Sequence, residues 1–339
     1  MTSRIVRGPS MVDVARLAGV SHQTVSRVLN DHPNVRAGTR TRVRSAIAEL
    51  GYRPNRAART LVTGRDRTIG VVAPRSTEFG PVSLLAAFED HLAEAGFDVT
   101  VVRAHERDDA SVGAGIGRLL DSQVAGILVI APLVSTAVPA DEVTADVPLV
   151  VVGGDPARPQ LRSSVDQFEG GRLATAHLLG LGHRTVWHVG GPAEYHDAAQ
   201  RAEGWRAALH AAGSEIPPVV PGDWSAGAGH VAGHLLARMP EVTAVFAAND
   251  ALATGLLHAF HELGRAVPGE VSVVGFDDAP SSAHLIPPLT TVRPDFGAVA
   301  GEVLDLLLSD LHQRGRGTTE DRRVAPVLVP RSTTAPPQR

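Results

Sequence analysis

From Thr68 onward, short β-branched runs alternate with segments whose apolar residues recur at helical spacing. Seven of these runs are IGVVAP, DVTVV, AGILVIAP, PLVVVGG, RTVWHVGG, TAVFAAND and VSVVGFDD. This alternation is typical of parallel sheets covered by helices on both faces. Seven or more strands over about 270 residues exceed one comfortable hydrophobic core, so we expect two α/β subdomains. Ligands of open α/β sheets bind beyond the carboxyl ends of the strands, which makes the polar residues there candidates for a site.

A small all-α region is predicted before these runs by the segment VDVARLAGVSHQTVSRVLN. Val14 and Ala18 share one helical face, Gly19 is free to adopt a positive φ, and Ser21 is a good N-cap for a second helix. Residues 39–50 alternate basic and apolar positions and predict a third helix. The pattern therefore predicts a helix-turn-helix closed by a third helix.

The second of these helices carries a polar face suited to the major groove of DNA. The residues on that face are His22, Gln23, Ser26, Arg27 and Asn30. They include side-chain types that hydrogen-bond to base edges and no acidic residue, so we favour DNA recognition over the alternative of a solvated helical hairpin.

The charge distribution points to the same partner. Residues 1–63 contain 11 arginines against three acidic residues, whereas the rest of the chain is strongly acidic. This charge distribution predicts that a polyanion such as DNA binds the basic N-terminal region and not the acidic remainder of the chain. Every basic residue is arginine, so the chain lacks the lysine of a P-loop, and without cysteine it has neither disulfides nor thiolate metal sites.

These motifs together resemble the LacI/GalR family of transcriptional repressors. The resemblance begins with DVARLAGVSHQTVSRVLN, TRTRVRSAIAELGYRPNRAARTL and TIGVV. It continues with GHRTVWHVGGP, RAEGW, GDWSA, AANDALATG, VSVVGFDD and PPLTTVRPDF. It implies a repressor of sugar-utilisation genes that binds a pseudo-palindromic, double-stranded operator as a homodimer and is released by a galactoside-like or related saccharide.

The resemblance also implies a domain organisation. We expect a helix-turn-helix head at 10–54, a hinge helix and linker at 55–67, and an effector-binding and dimerisation core at 68–339. The core should resemble periplasmic sugar-binding proteins. One subdomain would span about 68–164 with 294–324, and the other about 165–293 with 325–339.

The predicted DNA contacts lie in the head and the hinge. They are Ser21, His22, Gln23, Thr24, Ser26, Arg27, Asn30, Asn34, Thr39, Tyr52, Asn55, Ala58 and Leu61. His22 and Gln23 open the recognition helix and should decide the operator sequence, while Arg27 suits a guanine or a phosphate. The resemblance assigns the three hinge residues to the minor groove, with Leu61 as a wedge between base steps. The alternative role for Leu61 is a linker leucine resting on the core.

The resemblance assigns five core residues to the effector. They are Arg201, Trp224, Asn249, Asp277 and Phe296. A guanidinium, an amide and a carboxylate suit sugar hydroxyls, and the two aromatic rings suit the C–H face of a pyranose. Each also has a plainer alternative, namely an ion pair, core packing or a cap at the end of a strand.

Departures from the family pattern leave the identity of the ligand open. Ala131 and Pro132 follow the third core strand, where galactoside-binding members carry asparagine, and the loop containing Asp155 aligns poorly. Tyr195 and Asp197 replace smaller residues near the cleft. These changes favour a different or differently linked sugar. A purine stacked between Trp224 and Phe296 is an alternative within the family.

Other function classes fit the residues less well. His230 and His234 form an HxxxH pair in which Val231 replaces the glutamate of zinc proteases, so we expect a solvated helix face and no metal. Asp277 and Asp278 are adjacent, so their side chains should diverge rather than flank a glycosidic bond. We therefore expect no enzyme and no cofactor.

A sugar-binding transport protein is the alternative from another class, but it would need a signal peptide and no basic head. The start MTSRIVRGPS has no apolar h-region, and no run approaches the ~20 apolar residues of a membrane span, so we expect a cytoplasmic protein. The chain ends PRSTTAPPQR after the last predicted strand, without a leucine heptad, which favours a dimer over a tetramer.

Overall fold

The computed structural model describes residues 9–29, 32–52, 67–105, 109–131, 147–153, 161–313 and 319–338. The chain divides into two compact units, residues 1–66 and residues 67–339. The first unit contains the head and the second is the core.

The described residues of the head form three helices. They are α1 Met11–Ala18, α2 His22–Leu29 and α3 Ala37–Leu50. Ser10 and Asp13 form a capping box that fixes the start of α1. Gly19 ends α1 with a φ of 61°, and Ser21 Oγ accepts a hydrogen bond from the Thr24 amide at 3.2 Å. The predicted turn and cap are confirmed, and α3 begins two residues before the predicted start.

A compact hydrophobic core joins the three head helices. Its buried members are Val14, Ala15, Ala18, Val25, Val28, Val43, Ala46 and Tyr52. The apolar face of α2 is therefore used for packing, which leaves the opposite polar face for solvent or a partner.

The core unit is built on two sheets. The first sheet contains β1 Thr68–Pro74, β2 Asp98–Ala104, β3 Gly126–Ala131, β4 Leu149–Gly153, β5 Leu161–Val165 and β10 Glu320–Val324. Its order is β10-β5-β4-β3-β1-β2, and all of its pairs are parallel. One face packs on α4 Phe79–Glu94 and α10 Phe296–Gln313, and the other packs on α5 Asp109–Asp121.

The second sheet contains β6 Trp187–Val189, β7 Ala244–Ala247, β8 Ser272–Phe276, β9 Thr290–Arg293 and β11 Val327–Val329. Its order is β11-β9-β8-β7-β6, and β11 is antiparallel to β9. The helices that cover it are α6 Gln167–Gly180, α7 His196–Ala211, α8 Ala226–Leu236 and α9 Asp250–Glu262. α8 and α9 pack on one face, and α6 and α7 on the other.

The chain passes between the two sheets after β5, after β9 and after β10. The seven runs predicted as strands are all strands, and the parallel, helix-covered sheets are confirmed. β5 and β10, with sequences LRSSV and EDRRV, were not among those runs because their polar residues hide the β pattern. In the described part of the chain, no helix combines the length and apolarity that a membrane span requires.

Candidate functional site

Four of the five predicted effector residues meet at one end of the second sheet. Asn249 follows β7, Asp277 follows β8, Trp224 precedes α8, and Arg201 projects from α7. All four are buried, with 5–8% of their surface exposed. The carboxyl ends of adjacent parallel strands thus bring together an amide, a carboxylate, a guanidinium and an indole, as ligand sites of α/β sheets require.

Arg201 is held from three sides. Its Nε donates to Gln167 Oε1 at 2.8 Å, and its Nη1 donates to the Ala248 carbonyl oxygen. Its guanidinium carbon lies 3.6 Å from the centroid of the Phe276 ring. These contacts leave Nη2 directed toward Asp277, 3.8 Å from Oδ1.

Asp277 carries an incompletely compensated carboxyl group. Burial raises its pKa from 3.8 to about 8, against the opposing effect of Arg201. The neighbouring carboxylates of Asp250, Asp197 and Glu78 raise this pKa further. Among the described residues, no donor lies within hydrogen-bond distance of the carboxyl group. Its oxygens are therefore available to a ligand hydroxyl.

Asn249 links two of the elements that form the site. Its Oδ1 accepts a hydrogen bond from the Leu252 amide at 2.8 Å and caps α9. Its Nδ2 donates to the Trp224 carbonyl oxygen at 3.0 Å. Asn249 therefore does cap a helix, which was its alternative role, and its side-chain amide also holds the loop that carries the Trp224 indole.

The Trp224 indole stands edge-on to the Tyr195 ring, with centroids 5.8 Å apart. Glycine is required beside it, because a Cβ at Gly191 would lie 2.4 Å from the indole. The Arg201 guanidinium carbon is 5.6 Å from the centroid of the same ring. Tyr195, identified in the sequence only as a departure, therefore supports the aromatic wall of the site.

Backbone strain is concentrated in this region. Four described residues other than glycine have a positive φ, and three of them are Trp224 at 75°, Asp277 at 111° and Asp278 at 51°. Such conformations are costly for residues with a Cβ and occur preferentially at ligand sites. These three residues lie in the loops that form the site.

Phe296, the fifth predicted residue, lies apart from these four. It begins α10, is half-buried against the hydrophobic cluster of the first sheet, and pairs with Phe79 at a centroid distance of 6.3 Å. Glu78, which precedes Phe79, is among the charges that raise the pKa of Asp277. The carboxylate of Glu78, at the start of α4, is therefore close enough to Asp277 to affect its ionisation.

Sequence reasoning missed Asp250, which is buried beneath the site. Its carboxylate accepts hydrogen bonds from Ser282 Oγ at 2.6 Å, Thr291 Oγ1 at 2.6 Å and the Ala279 amide at 2.8 Å. Burial raises its pKa to about 6, although these hydrogen bonds oppose the shift. Its position directly after Asn249, at the end of a buried strand, was the available signal.

The two carboxylates of the GFDD motif diverge, as predicted. Asp277 approaches Arg201, whereas Asp278 bonds to Arg331 at 2.5 Å and lies 3.6 Å from Arg293. Asp278 therefore ties the loop to the second sheet, and Asp277 remains free for the site.

A small polar pocket, open to solvent, adjoins the Arg201 network through Gln167. Its lining residues are Gly153, Arg162, Ser164, Val165, Gln167, His196, Gln200, Asp321 and Arg323. Sequence reasoning also missed Gln167, because only the fold brings α6 beside α7. Among the departures, Ala131 is buried at the end of β3, and Pro132 and Asp155 lie outside the described residues.

The predicted DNA contacts of the head and hinge fall into four groups. Ser21, His22, Gln23, Arg27 and Asn34 are exposed, and Thr24, Ser26 and Thr39 are half-buried. Tyr52 is buried in the head core with 7% of its surface exposed. Asn30, Asn55, Ala58 and Leu61 lie outside the described residues. The exposed groups include both residues that open α2.

Two family models match separate parts of the chain. Residues 10–55 match bacterial regulatory proteins of the lacI family, and residues 175–334 match a periplasmic binding protein-like domain. The first match covers the helix-turn-helix, and the second covers the sheet that carries Arg201, Asn249 and Asp277.

Two relatives match nearly the whole chain. The lactose operon repressor of Escherichia coli K12 is 33% identical over 332 residues, covering 97% of this chain and 91% of the relative. The regulator CelR of Thermobifida fusca is 36% identical over 318 residues, covering 89% and 92%.

Solved structures of the same two regulators share the fold. A lac repressor dimer bound to operator and the anti-inducer ONPF has a TM-score of 0.88 at 31% identity, covering 97% of this chain and 100% of that chain. A CelR–cellobiose complex has a TM-score of 0.71 at 31% identity, covering 96% and 99%. With identity above 30% along nearly its whole length, this chain belongs to the lacI family of bacterial regulatory proteins, DNA-binding transcriptional regulators with a periplasmic-binding-like core.

Proposed function

We propose that this protein is a transcriptional repressor of sugar-utilisation genes, released from its operator by a saccharide. The observation that carries the effector class is the buried Asp277 carboxyl group, which faces Arg201 Nη2 at 3.8 Å and meets no other described donor. A hydroxyl placed between them donates to the carboxylate and accepts from the guanidinium, and a polyol offers several such hydroxyls.

The aromatic wall favours the same ligand class. The Trp224 indole, held edge-on by Tyr195, suits the C–H face of a pyranose ring. Two similar proteins also support a saccharide: CelR was solved in complex with cellobiose, and the other relative is named as the repressor of the lactose operon. A purine corepressor is the alternative within the family. It is less favoured here because Phe296 pairs with Phe79, and no described contact joins it to Trp224.

On DNA, we assign direct base contacts to His22 and Gln23, which are exposed at the start of α2, and a guanine or phosphate contact to Arg27, which is exposed in its last turn. Six residues with short polar side chains are proposed to contact the DNA backbone and set its register, namely Ser21, Thr24, Ser26, Asn30, Asn34 and Thr39. Tyr52 was also predicted to contact DNA, but it is buried in the head core and is assigned no such contact. Asn55, Ala58 and Leu61 are proposed as the minor-groove contacts of the hinge at 55–67. A homodimer would match a pseudo-palindromic operator.

This proposal makes the core a binding module rather than an enzyme. Asp277 and Asp278 point to different partners, so they do not form a catalytic carboxylate pair. A regulator of this kind would act on chromosomal DNA in the cytoplasm.

The test combines an operator with a panel of sugars. An operator is first selected from random duplexes with the full-length protein, and its affinity is then titrated by fluorescence anisotropy with mono- and disaccharides. We expect at least one saccharide to weaken operator binding by about 5–150-fold, the usual range of allosteric coupling.

Asp277→Ala should bind the operator normally and lose this response, whereas Asp305→Ala, an identical change at an exposed position on α10, should keep it. Release of the Asp277→Ala protein at the wild-type sugar concentration would refute the assigned site. Release by purines and by no saccharide would refute the effector class.

A further inference from the structure

Three imidazoles surround one carboxylate on the outer face of α8 and α9. His230 and His234 lie on α8, and His258 and Glu262 lie on α9. His230 Nε2 is 2.6 Å and His234 Nε2 is 3.1 Å from Glu262 Oε2, while His258 Nε2 is 3.3 Å from Glu262 Oε1. The ligand atoms of His230, His258 and Glu262 all lie within 4.8 Å of one another.

The crossing of the two helices holds this cluster in place. Each helix presents its two members at a spacing of four residues, which puts them on one face. The helix backbones touch, since a Cβ at Gly229 would lie 2.1 Å from the Leu252 carbonyl oxygen and one at Gly255 would lie 2.0 Å from that of Ala226. The cluster therefore sits on a closely packed pair of helices rather than on loops.

The donor atoms are close to the spacing that a transition-metal ion requires. Metal–ligand distances of about 2.0–2.1 Å in a tetrahedral site place the ligand atoms about 3.3–3.4 Å apart. His258 Nε2 already has this separation from Glu262 Oε1, and His230 Nε2 must move less than 1 Å away from Glu262 Oε2. All three ligand atoms lie within 4.8 Å of one another, so small side-chain rotations bring them to one ion. The side chains are 35–63% exposed, so an ion can reach them from solvent.

We propose that His230, His258 and Glu262 bind a divalent transition-metal ion such as Zn²⁺, with His234 as a positioning residue that holds the Glu262 carboxylate. Two imidazoles and one carboxylate, with a fourth position left for water, form a donor set that suits Zn²⁺, Ni²⁺ or Co²⁺ rather than Ca²⁺ or Mg²⁺. The sequence argument against a metal considered only the residues of α8, whereas the carboxylate ligand, Glu262, comes from α9.

Such an ion would cross-link α8 and α9 within the second sheet's helical layer. Binding should therefore raise the thermal unfolding temperature in proportion to the logarithm of the free metal concentration above its dissociation constant. Because the imidazoles must be unprotonated to coordinate, affinity should fall in acid.

The experiment uses untagged, full-length protein treated with a chelator and titrated with Zn²⁺ by calorimetry, with Co²⁺ as a spectroscopic substitute. We expect one ion per chain and the visible bands of four-coordinate Co²⁺. His258→Ala and Glu262→Gln should each lose more than 100-fold in affinity. His234→Ala should lose about 10–100-fold, as is typical of residues that orient a ligand.

His261→Ala is the matched control, because His261 is exposed on α9 and lies outside the cluster. It should keep wild-type affinity, and all variants should unfold at the wild-type temperature in chelator. Absence of Zn²⁺ binding, or binding that His258→Ala and Glu262→Gln weaken no more than His261→Ala does, would overturn the proposal. Equal binding of Mg²⁺ would contradict the assigned metal class.

Discussion

Arg201 Nη2 and the Asp277 carboxylate lie 3.8 Å apart, beyond hydrogen-bond distance, although both side chains are buried. Arg201 cannot close this gap freely, because Gln167, Ala248 and Phe276 hold its guanidinium. A buried carboxyl group so weakly paired is costly to ionise unless another group completes its hydrogen bonds. The arrangement is therefore prepared for a ligand hydroxyl, and it makes the unfolding free energy depend on pH.

Stability should fall with increasing pH between about 6.5 and 8. The folded-state pKa of Asp277 is raised to about 8, so in this window its native carboxyl group holds a proton that the unfolded chain has released. The folded-state pKa of Asp250 is raised to about 6, so Asp250 adds to the decline at lower pH. Their stabilising contribution is complete below pH 3.8 and is lost as pH rises through the folded values. Buried His188 opposes this trend only below pH 6.5, because burial lowers its pKa to about 4.

Asp277→Asn should flatten this decline, because it removes the titrating group, whereas wild type should lose on the order of 1–2 kcal/mol of stability between pH 6.5 and 8. Urea unfolding at several pH values measures the effect. Asp305→Asn, at an exposed site, should follow the wild-type curve. An unchanged slope in Asp277→Asn would show that Asp277 is already ionised in the native protein.

Asn249→Asp should distinguish the contribution of the helix cap from that of the hydrogen bond to the Trp224 carbonyl oxygen. The carboxylate can still accept from Leu252, but it cannot donate to the Trp224 carbonyl oxygen. Loss of a buried hydrogen bond should cost about 1–3 kcal/mol in the unfolding free energy. Asn249→Ala should cost more, since it also removes the cap, and equal losses in urea unfolding would mean that the bridge alone matters.

Gly191→Ala should displace the Trp224 indole, because the added Cβ would lie 2.4 Å from the ring. We expect altered tryptophan fluorescence and at least tenfold weaker sugar response, with operator affinity retained. Gly117→Ala is the control: a Cβ there meets nothing within 4 Å in α5, so it should stabilise by about 0.5–1 kcal/mol. An unchanged tryptophan fluorescence spectrum would show that the loop containing residue 191 moves and the Trp224 indole does not.

Replacing His22 and Gln23 together should change the operator sequence that the protein selects. Both side chains are exposed at the start of α2, and each good base contact is worth about 1–3 kcal/mol of discrimination. Selection from random duplexes measures the preference, with sugar affinity of the core as the control. Recovery of the wild-type operator would place base recognition elsewhere in the head.

Local patterns of residues were sufficient to predict the head helices, the turn at Gly19, the cap at Ser21, seven of the strands and the polar residues that follow the strands. These features depend on local periodicity and on backbone preferences, as Gly19 and Ser21 illustrate. The family resemblance then selected Arg201, Asn249 and Asp277, and adjacent parallel strands necessarily place their carboxyl ends together.

The surroundings of those residues depend on how distant segments of the chain pack together. The contact of Arg201 with Gln167 depends on how α6 packs on α7, and Phe296 is paired with Phe79 because α10 covers the first sheet rather than the second. The cluster around Glu262 likewise joins two helices whose members no short motif connects. Such contacts arise from the packing of segments distant in sequence, so local patterns of residues carry no direct signal for them.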